Sequence, residues 1–207
     1  MLECQRCFWL TQHKIWKRPN GIFPSLPSGI DCLLKKYFDK FRVAGKCPPE
    51  IESTLGSEIN LFDNLNLIDE WRNNFKGIRF IDKEGNILSG AVDDLLLNDK
   101  TKKLIVIDYK TRGFDLKEGT TDLYKNQLDV YNLILRSKGY QTEDYSYLLF
   151  YIPKNIKENG EIKFDTKLIK IKVDINSAKM LFLKALAVLE GYCPEERYNW
   201  CKNVEQS

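Results

Sequence analysis

The stretch that most constrains this chain runs from Gly90 to Arg112. It opens Gly90-Ala91-Val92-Asp93-Asp94-Leu95-Leu96-Leu97 and closes Leu104-Ile105-Val106-Ile107-Asp108-Tyr109-Lys110-Thr111-Arg112. Between lies a polar segment with turn formers, Asn98 to Lys103. Two apolar runs around such a segment predict a β-hairpin. A symmetric turn pairs Leu97 with Leu104, Leu95 with Val106 and Asp93 with Asp108. Leu95, Leu97, Leu104 and Val106 then share one face, and Val92, Leu96, Ile105 and Ile107 the other. Strands apolar on both faces need cover on both sides, so the hairpin belongs to a central sheet flanked by helices.

The predicted register places two carboxylates across from each other, at roughly 5 Å between Cβ atoms. Alternation along a strand adds Lys110 to the face of Asp108 and sends Asp94 to the opposite face. Facing carboxylates in an apolar strand repel unless a cation lies between them. Two acids and an ammonium at one point suit a metal site for phosphodiester hydrolysis. The same residues also fit turn-forming acids at a strand end beside a surface ion pair.

The other elements are placed around this hairpin. Residues 1–18 are aromatic-rich and predict a helix with Phe8, Trp9 and Trp16 inward. A Pro/Gly-rich connector covers residues 19–29. A helix from about Ser28 carries Ile30, Leu33, Leu34, Tyr37, Phe38 and Phe41 at helical spacing and stops before Gly45. Residues 50–76 show only a short amphipathic helix, about Leu67 to Phe75. The sheet is expected to begin near Gly77–Ile81 and to run on into the hairpin. A helix follows from about Thr121 to Lys138, with Thr120 or Thr121 as N-cap. Strands at Tyr145–Ile152 and Leu168–Asp174 flank a polar loop, Pro153 to Asp165. Asn176 or Ser177 caps a final helix with Ala178, Leu181, Phe182, Ala185 and Leu189 inward. The expected fold is α/β, with a mixed, mainly antiparallel sheet between helices. One domain is expected over residues 1–207, with the segments 1–18 and 191–207 packed together.

Composition narrows the class of protein. The chain has 207 residues, 43% hydrophobic and 29% charged, which is globular rather than disordered. Its net charge of +3 neither requires nor opposes a nucleic-acid partner. The absence of an 18-residue apolar run excludes the signature of a membrane helix. No basic region precedes an apolar one at the start, so a cytoplasmic protein is expected. There the six cysteines are thiols or metal ligands rather than disulfides.

Cys4 and Cys7 have the spacing of a metal-binding knuckle, which helical spacing of two buried thiols would also give. Cys193 and Cys201 lie among aromatics at the other end. The two ends should bring one of each pair within about 4 Å, with Cys32 and Cys47 outside. His13, the single histidine, is expected to be a packed or surface side chain. Tyr124, Gln127 and Tyr131 share one face of their helix. A Gln on such a stripe requires a partner for its amide, either the backbone or a group beside the acids.

These residues carry a resemblance. Gly90-Ala91-Val92-Asp93, Asp108-Tyr109-Lys110 and Gln127 through Tyr131 are similar to the GxxD, DxK and QxxxY motifs of the PD-(D/E)XK nucleases, in their RecB-like branch. Cys4-Gln5-Arg6-Cys7-Phe8 resembles the CPRxF start of that branch, with Gln5 in place of Pro. The resemblance covers about residues 1–150 and implies a restriction-endonuclease-like core and metal-dependent cleavage of DNA. It implies that Asp93, Asp108 and the backbone carbonyl of Tyr109 hold Mg²⁺ or Mn²⁺. Lys110 would act on the attacking water or the developing charge, and Gln127 and Tyr131 would line the site. The branch usually supplies a histidine from the preceding helix as a further ligand. This chain has none there, and Asp31 is the substitute by position, although it also suits a helix N-terminus. The resemblance extends to Cys4, Cys7, Cys193 and Cys201 as ligands of a [4Fe–4S] cluster, and their two-plus-two division fits Zn²⁺ as readily. The alternative to a nuclease is a module that keeps the fold, lacks turnover and binds nucleic acid or a protein. Hydrolysis of another phosphodiester is a third reading.

Overall fold

The computed structural model describes residues 1–19, 21, 23–195 and 201. Two compact units are distinguished, one of residues 25–178 and one of residues 1–24 with 179–207. The boundary falls within the last helix.

The larger unit is an α/β layer structure. Its elements are α2 (Ser25–Val43), α3 (Pro49–Leu55), β1 (Ile59–Leu61), α4 (Leu65–Arg72), β2 (Ile78–Ile81), β3 (Ile87–Gly90), β4 (Asp94–Asn98), β5 (Lys103–Thr111), α5 (Asp122–Ser137), β6 (Tyr145–Ile156) and β7 (Ile162–Lys172), with the start of α6 (Ile175–Glu190). The main sheet has the order β1-β4-β5-β6-β7. Only β5 and β6 are parallel. They are joined through α5, the crossover that a parallel pair needs.

The hairpin register is the predicted one from Asp94 onward, with Leu97 opposite Leu104 and Leu95 opposite Val106, whereas Asp93 precedes β4 and forms no cross-strand pair with Asp108. Both faces are buried. Leu95, Leu104, Val106, Leu148 and Phe150 pack with Leu128, Tyr131, Ile134 and Leu135 of α5. Leu96, Ile105, Ile107, Tyr147 and Leu149 pack with Phe38 of α2 and Ile51 of α3. Each such side chain contributes about 1.5–3 kcal/mol by leaving water, which is why the two-faced strands set the architecture.

Several expectations are corrected. The strands near residue 78 do not open the main sheet, because β2 and β3 form a separate two-stranded ribbon. The chain between β3 and β4 leaves the strand path. There the N–H of Val92 donates to the carbonyl of Trp71 at the end of α4. Val92 therefore packs with Leu95 rather than on the face of Leu96. The polar loop expected from Pro153 to Asp165 is mostly strand, since β6 and β7 extend beyond the core and pair to Ile156 and Ile162, with a register shift at Pro153/Asn155. α4 begins two residues earlier than expected and ends at Arg72, and α3 and β1 had no counterpart in the reading. The cap of α6 is Asp174, whose Oδ1 accepts from the N–H groups of Asn176 and Ser177. Thr121 makes no side-chain cap on α5. Thr120 Oγ1 accepts from Lys117 N instead. On α6 only Ala178 is buried, and Leu181, Phe182, Ala185 and Leu189 are half-buried.

In the smaller unit α1 spans Gln5–Gln12, and its buried residues are Cys7 and Leu10 rather than the aromatics. Phe8, Trp9 and Trp16 are half-buried. Trp9 Nε1 donates to Gly191 O at 3.0 Å, and His13 lies 3.0 Å from Leu189 O and against the Trp9 ring. Tyr198 and Trp200, expected beside Cys201, lie outside the described residues. No helix among the described residues is long and apolar enough to cross a membrane.

Candidate active site

β5 carries Asp108 and Lys110 on the face that α5 covers, because Val106 of the same alternating set packs against that helix. Asp108 is buried, at 1% exposure. Its Oδ2 is in ion-pair contact with the Lys110 ammonium. Burial, and then the charge of Asp93, push the Asp108 carboxyl up to about 7, against the pull of Lys110. A buried acid set against a second carboxylate is costly as a structural group and suited to ligating a cation.

Asp93 is held beside it by backbone. Its Oδ2 accepts from Tyr109 N at 2.9 Å. Its own carbonyl accepts from Arg72 Nε at 2.8 Å, and Val92 is tied to Trp71. The end of α4 thus fixes the segment that carries Asp93.

That anchoring rests on a buried network behind the site. Asp94 is fully buried. It is ion-paired with Arg42 of α2 and with Arg72 of α4, the latter at 2.7 Å, and accepts from Tyr109 OH at 2.6 Å and from Leu95 N at 2.8 Å. Both arginines also pair with Asp39. Burial opposes the charge on Arg72, and Asp94 and Asp39 more than compensate, holding the guanidinium charged.

α5 supplies the other wall. Gln127 Nε2 donates to Tyr131 OH at 2.7 Å, so the amide that needed a partner finds it one turn along the helix. Burial raises the Tyr131 hydroxyl well above the usual tyrosine range, and the nearby Asp108 and Asp93 charges add to this. The Tyr131 ring lies against Gly90, where a Cβ would stand 2.6 Å from Cε1. That contact explains the glycine ahead of Asp93. Lys110 Nζ also lies 4.8 Å from the centre of the Tyr124 ring.

Asp31 reaches this corner through a residue that the sequence reading missed. Lys35 Nζ is 2.7 Å from Asp31 Oδ2 and 3.4 Å from Asp93 Oδ1. Burial lowers the affinity of Lys35 for its proton, and Asp93 and Asp31 outweigh it. An i, i+4 acid–lysine pair on one helix was the available signal, but such pairs are usually solvated. Arg112, two residues beyond Lys110, has a buried Nε without a hydrogen-bond partner and no ion pair among the described residues.

The cysteines assemble within the smaller unit. The sulfurs of Cys4, Cys7 and Cys201 all lie within 4.8 Å of one another, with Cys4 and Cys201 at 3.9 Å. All three are buried. Cys193 is not part of that group, and accepts a hydrogen bond from Arg6 Nη1 at 3.4 Å. Cys32 is exposed, and Cys47 donates to Ile59 O, burial raising its thiol to about 11. Three clustered thiols match three corners of a tetrahedral metal site.

No curated protein matches the chain. The family model of the PD-(D/E)XK nuclease superfamily matches residues 47–206, which takes in Asp93, Asp108, Lys110, Gln127 and Tyr131 and leaves Asp31, Lys35, Cys4 and Cys7 outside. Together with the five-stranded mixed sheet between helices, this match shows that the chain belongs to the PD-(D/E)XK nuclease superfamily.

Proposed function

We propose that the chain is a RecB-like, divalent-metal-dependent deoxyribonuclease that hydrolyses phosphodiester bonds as a single functional domain in the reducing cytoplasm. The observation that carries this reading is the buried Asp108 beside Asp93, with Lys110 in contact. Asp93, Asp108 and the Tyr109 carbonyl offer hard oxygen donors of the kind that suit Mg²⁺ or Mn²⁺. When bound there, the ion lowers the pKa of a water and polarises the phosphoryl oxygen.

The chain's own groups do the rest. Tyr109 N fixes one edge of Asp93, so the two carboxylates keep their relative position. Lys110 Nζ meets the negative charge that grows on the phosphate in the transition state. The Gln127–Tyr131 pair orients polar groups along the wall without adding charge. Arg112 follows the end of β5, and its N–H donates to Tyr151 O at 3.1 Å. Cys4, Cys7 and Cys201 would supply three ligands of a [4Fe–4S] cluster or Zn²⁺, and Cys193, outside their group, would complete the set on leaving Arg6.

Purified protein with labelled single- and double-stranded DNA tests the reading. Cleavage with Mg²⁺ or Mn²⁺ that EDTA abolishes is expected. DNA binding without cleavage at any metal concentration would favour the non-catalytic module. Iron or zinc in anaerobically purified protein tests the cysteine site, and protein containing neither refutes it.

A further inference from the structure

The corner around Asp93 already contains a cation. Lys35 Nζ stands between Asp31 Oδ2 at 2.7 Å and Asp93 Oδ1 at 3.4 Å. Its side chain is only 23% exposed, so the ammonium is enclosed rather than swinging in solvent. Asp93 is thereby engaged at both oxygens, Oδ2 by Tyr109 N and Oδ1 by Lys35. A two-ion hydrolytic site needs a carboxylate that spans ions roughly 3.5–4 Å apart. Here the outer edge of Asp93 faces an ammonium instead.

Charge counting agrees. Asp31, Asp93 and Asp108 face Lys35 and Lys110, which leaves one net negative charge. One divalent cation reverses that to a single positive charge. A second would add two more at close range, with two ammoniums already present and the interior poorly screened.

We infer that Lys35 is a tethered cation occupying the place of a second metal ion, so that this nuclease site takes one divalent ion per chain. This rests on the metal reading of Asp93 and Asp108 above. Asp31 then serves the ammonium and keeps it in place, the i, i+4 pairing on α2 setting the reach. Lys35 is a positioning residue that holds the outer edge of Asp93.

Calorimetry with Mn²⁺ on the metal-free full chain tests this without any cleavage assay. The native protein should saturate at one ion at the acidic site, with Asp108→Ala protein titrated in parallel to subtract any uptake elsewhere. Lys35→Met should saturate at two, because Asp31 and the outer oxygen of Asp93 become available. Lys35→Arg should stay at one, since the charge is kept. Two ions on the native protein overturn the inference, as does a folded Lys35→Met protein that still ends at one. No ion at all on the native protein removes the metal reading and this inference together. The native stoichiometry is decisive even if Lys35→Met does not fold, and Lys35→Gln then replaces it.

Discussion

Asp94 and Asp108 sit on neighbouring strands, both almost wholly out of water, and are provided for in opposite ways. Asp94 has two guanidiniums, a tyrosine hydroxyl and a backbone N–H. Asp108 has one ammonium contact and a repelling neighbour. A buried charge that serves the fold is satisfied on every side, because an unmet group costs about 1–3 kcal/mol and a charge more. A buried charge left short is one that the fold tolerates for another purpose. Adjacent in sequence, Asp93 and Asp94 thus divide between the two regions, the first facing the reaction and the second bracing it.

The sharpest way to break the comparison is to remove each acid in turn. Asp108→Ala should abolish cleavage while the metal-free protein keeps its fold and is equally or slightly more stable, since repulsion with Asp93 disappears. Wild-type-like cleavage would falsify the assignment. Asp94→Ala should instead destabilise by about 3–5 kcal/mol, because Arg42 and Arg72 keep only Asp39 as a counter-charge. Urea unfolding followed by circular dichroism distinguishes the two. Equal stabilities for the Asp94→Ala and Asp108→Ala proteins would mean that the satisfied and deficient sites do not differ as described.

Lys110→Ala probes the functional side more finely. The ammonium acts on the reacting phosphate or water and repels the metal. Turnover should fall about 100- to 1,000-fold, the effect typical of one lost transition-state donor. Mn²⁺ affinity by calorimetry should hold or tighten slightly. Loss of Mn²⁺ binding in a folded Lys110→Ala protein would make the lysine an organiser of the ligands.

Much of the functional side was legible in the sequence, and little of the bracing side was. The hairpin register followed from two apolar faces and a polar turn, while Asp93, just outside the ladder, is held near Asp108 by Tyr109 N. Gln127 and Tyr131 followed from helical spacing. The bracing network could not be read, since Arg42 and Arg72 stand 52 and 22 positions from Asp94 and belong to different helices. Local pattern carries no information on such pairings. Lys35 was hidden as an ordinary helix-surface lysine. β1, three residues long, is too short for periodicity to show. The outer half of β7 is mostly exposed, and its short alternation, Ile162-Lys163-Phe164-Asp165, is outweighed by the polar, Gly-containing stretch that precedes it. Asp174 was passed over as a cap because an apolar residue, Ile175, separates it from the polar pair it caps.

The smallest expected effect is on the pH dependence of stability, where the two acids should part once more. Burial and Asp93 raise the folded-state carboxyl of Asp108 from 3.8 to about 7. Between those values the folded chain binds more protons than the unfolded one, so the slope of unfolding free energy with pH is negative. The contribution is fully present below about 4 and is lost as the pH rises through about 7. In metal-free protein, the melting temperature of wild type relative to Asp108→Asn should therefore fall steadily between pH 4 and 7. Saturating Mn²⁺ should reverse the ranking near pH 7, since the ion binds the ionised carboxylate of wild type and stabilises the folded state by mass action. Parallel curves for the two proteins without metal would show that Asp108 is ionised at ordinary cost, and the contrast with Asp94 would then rest on geometry alone.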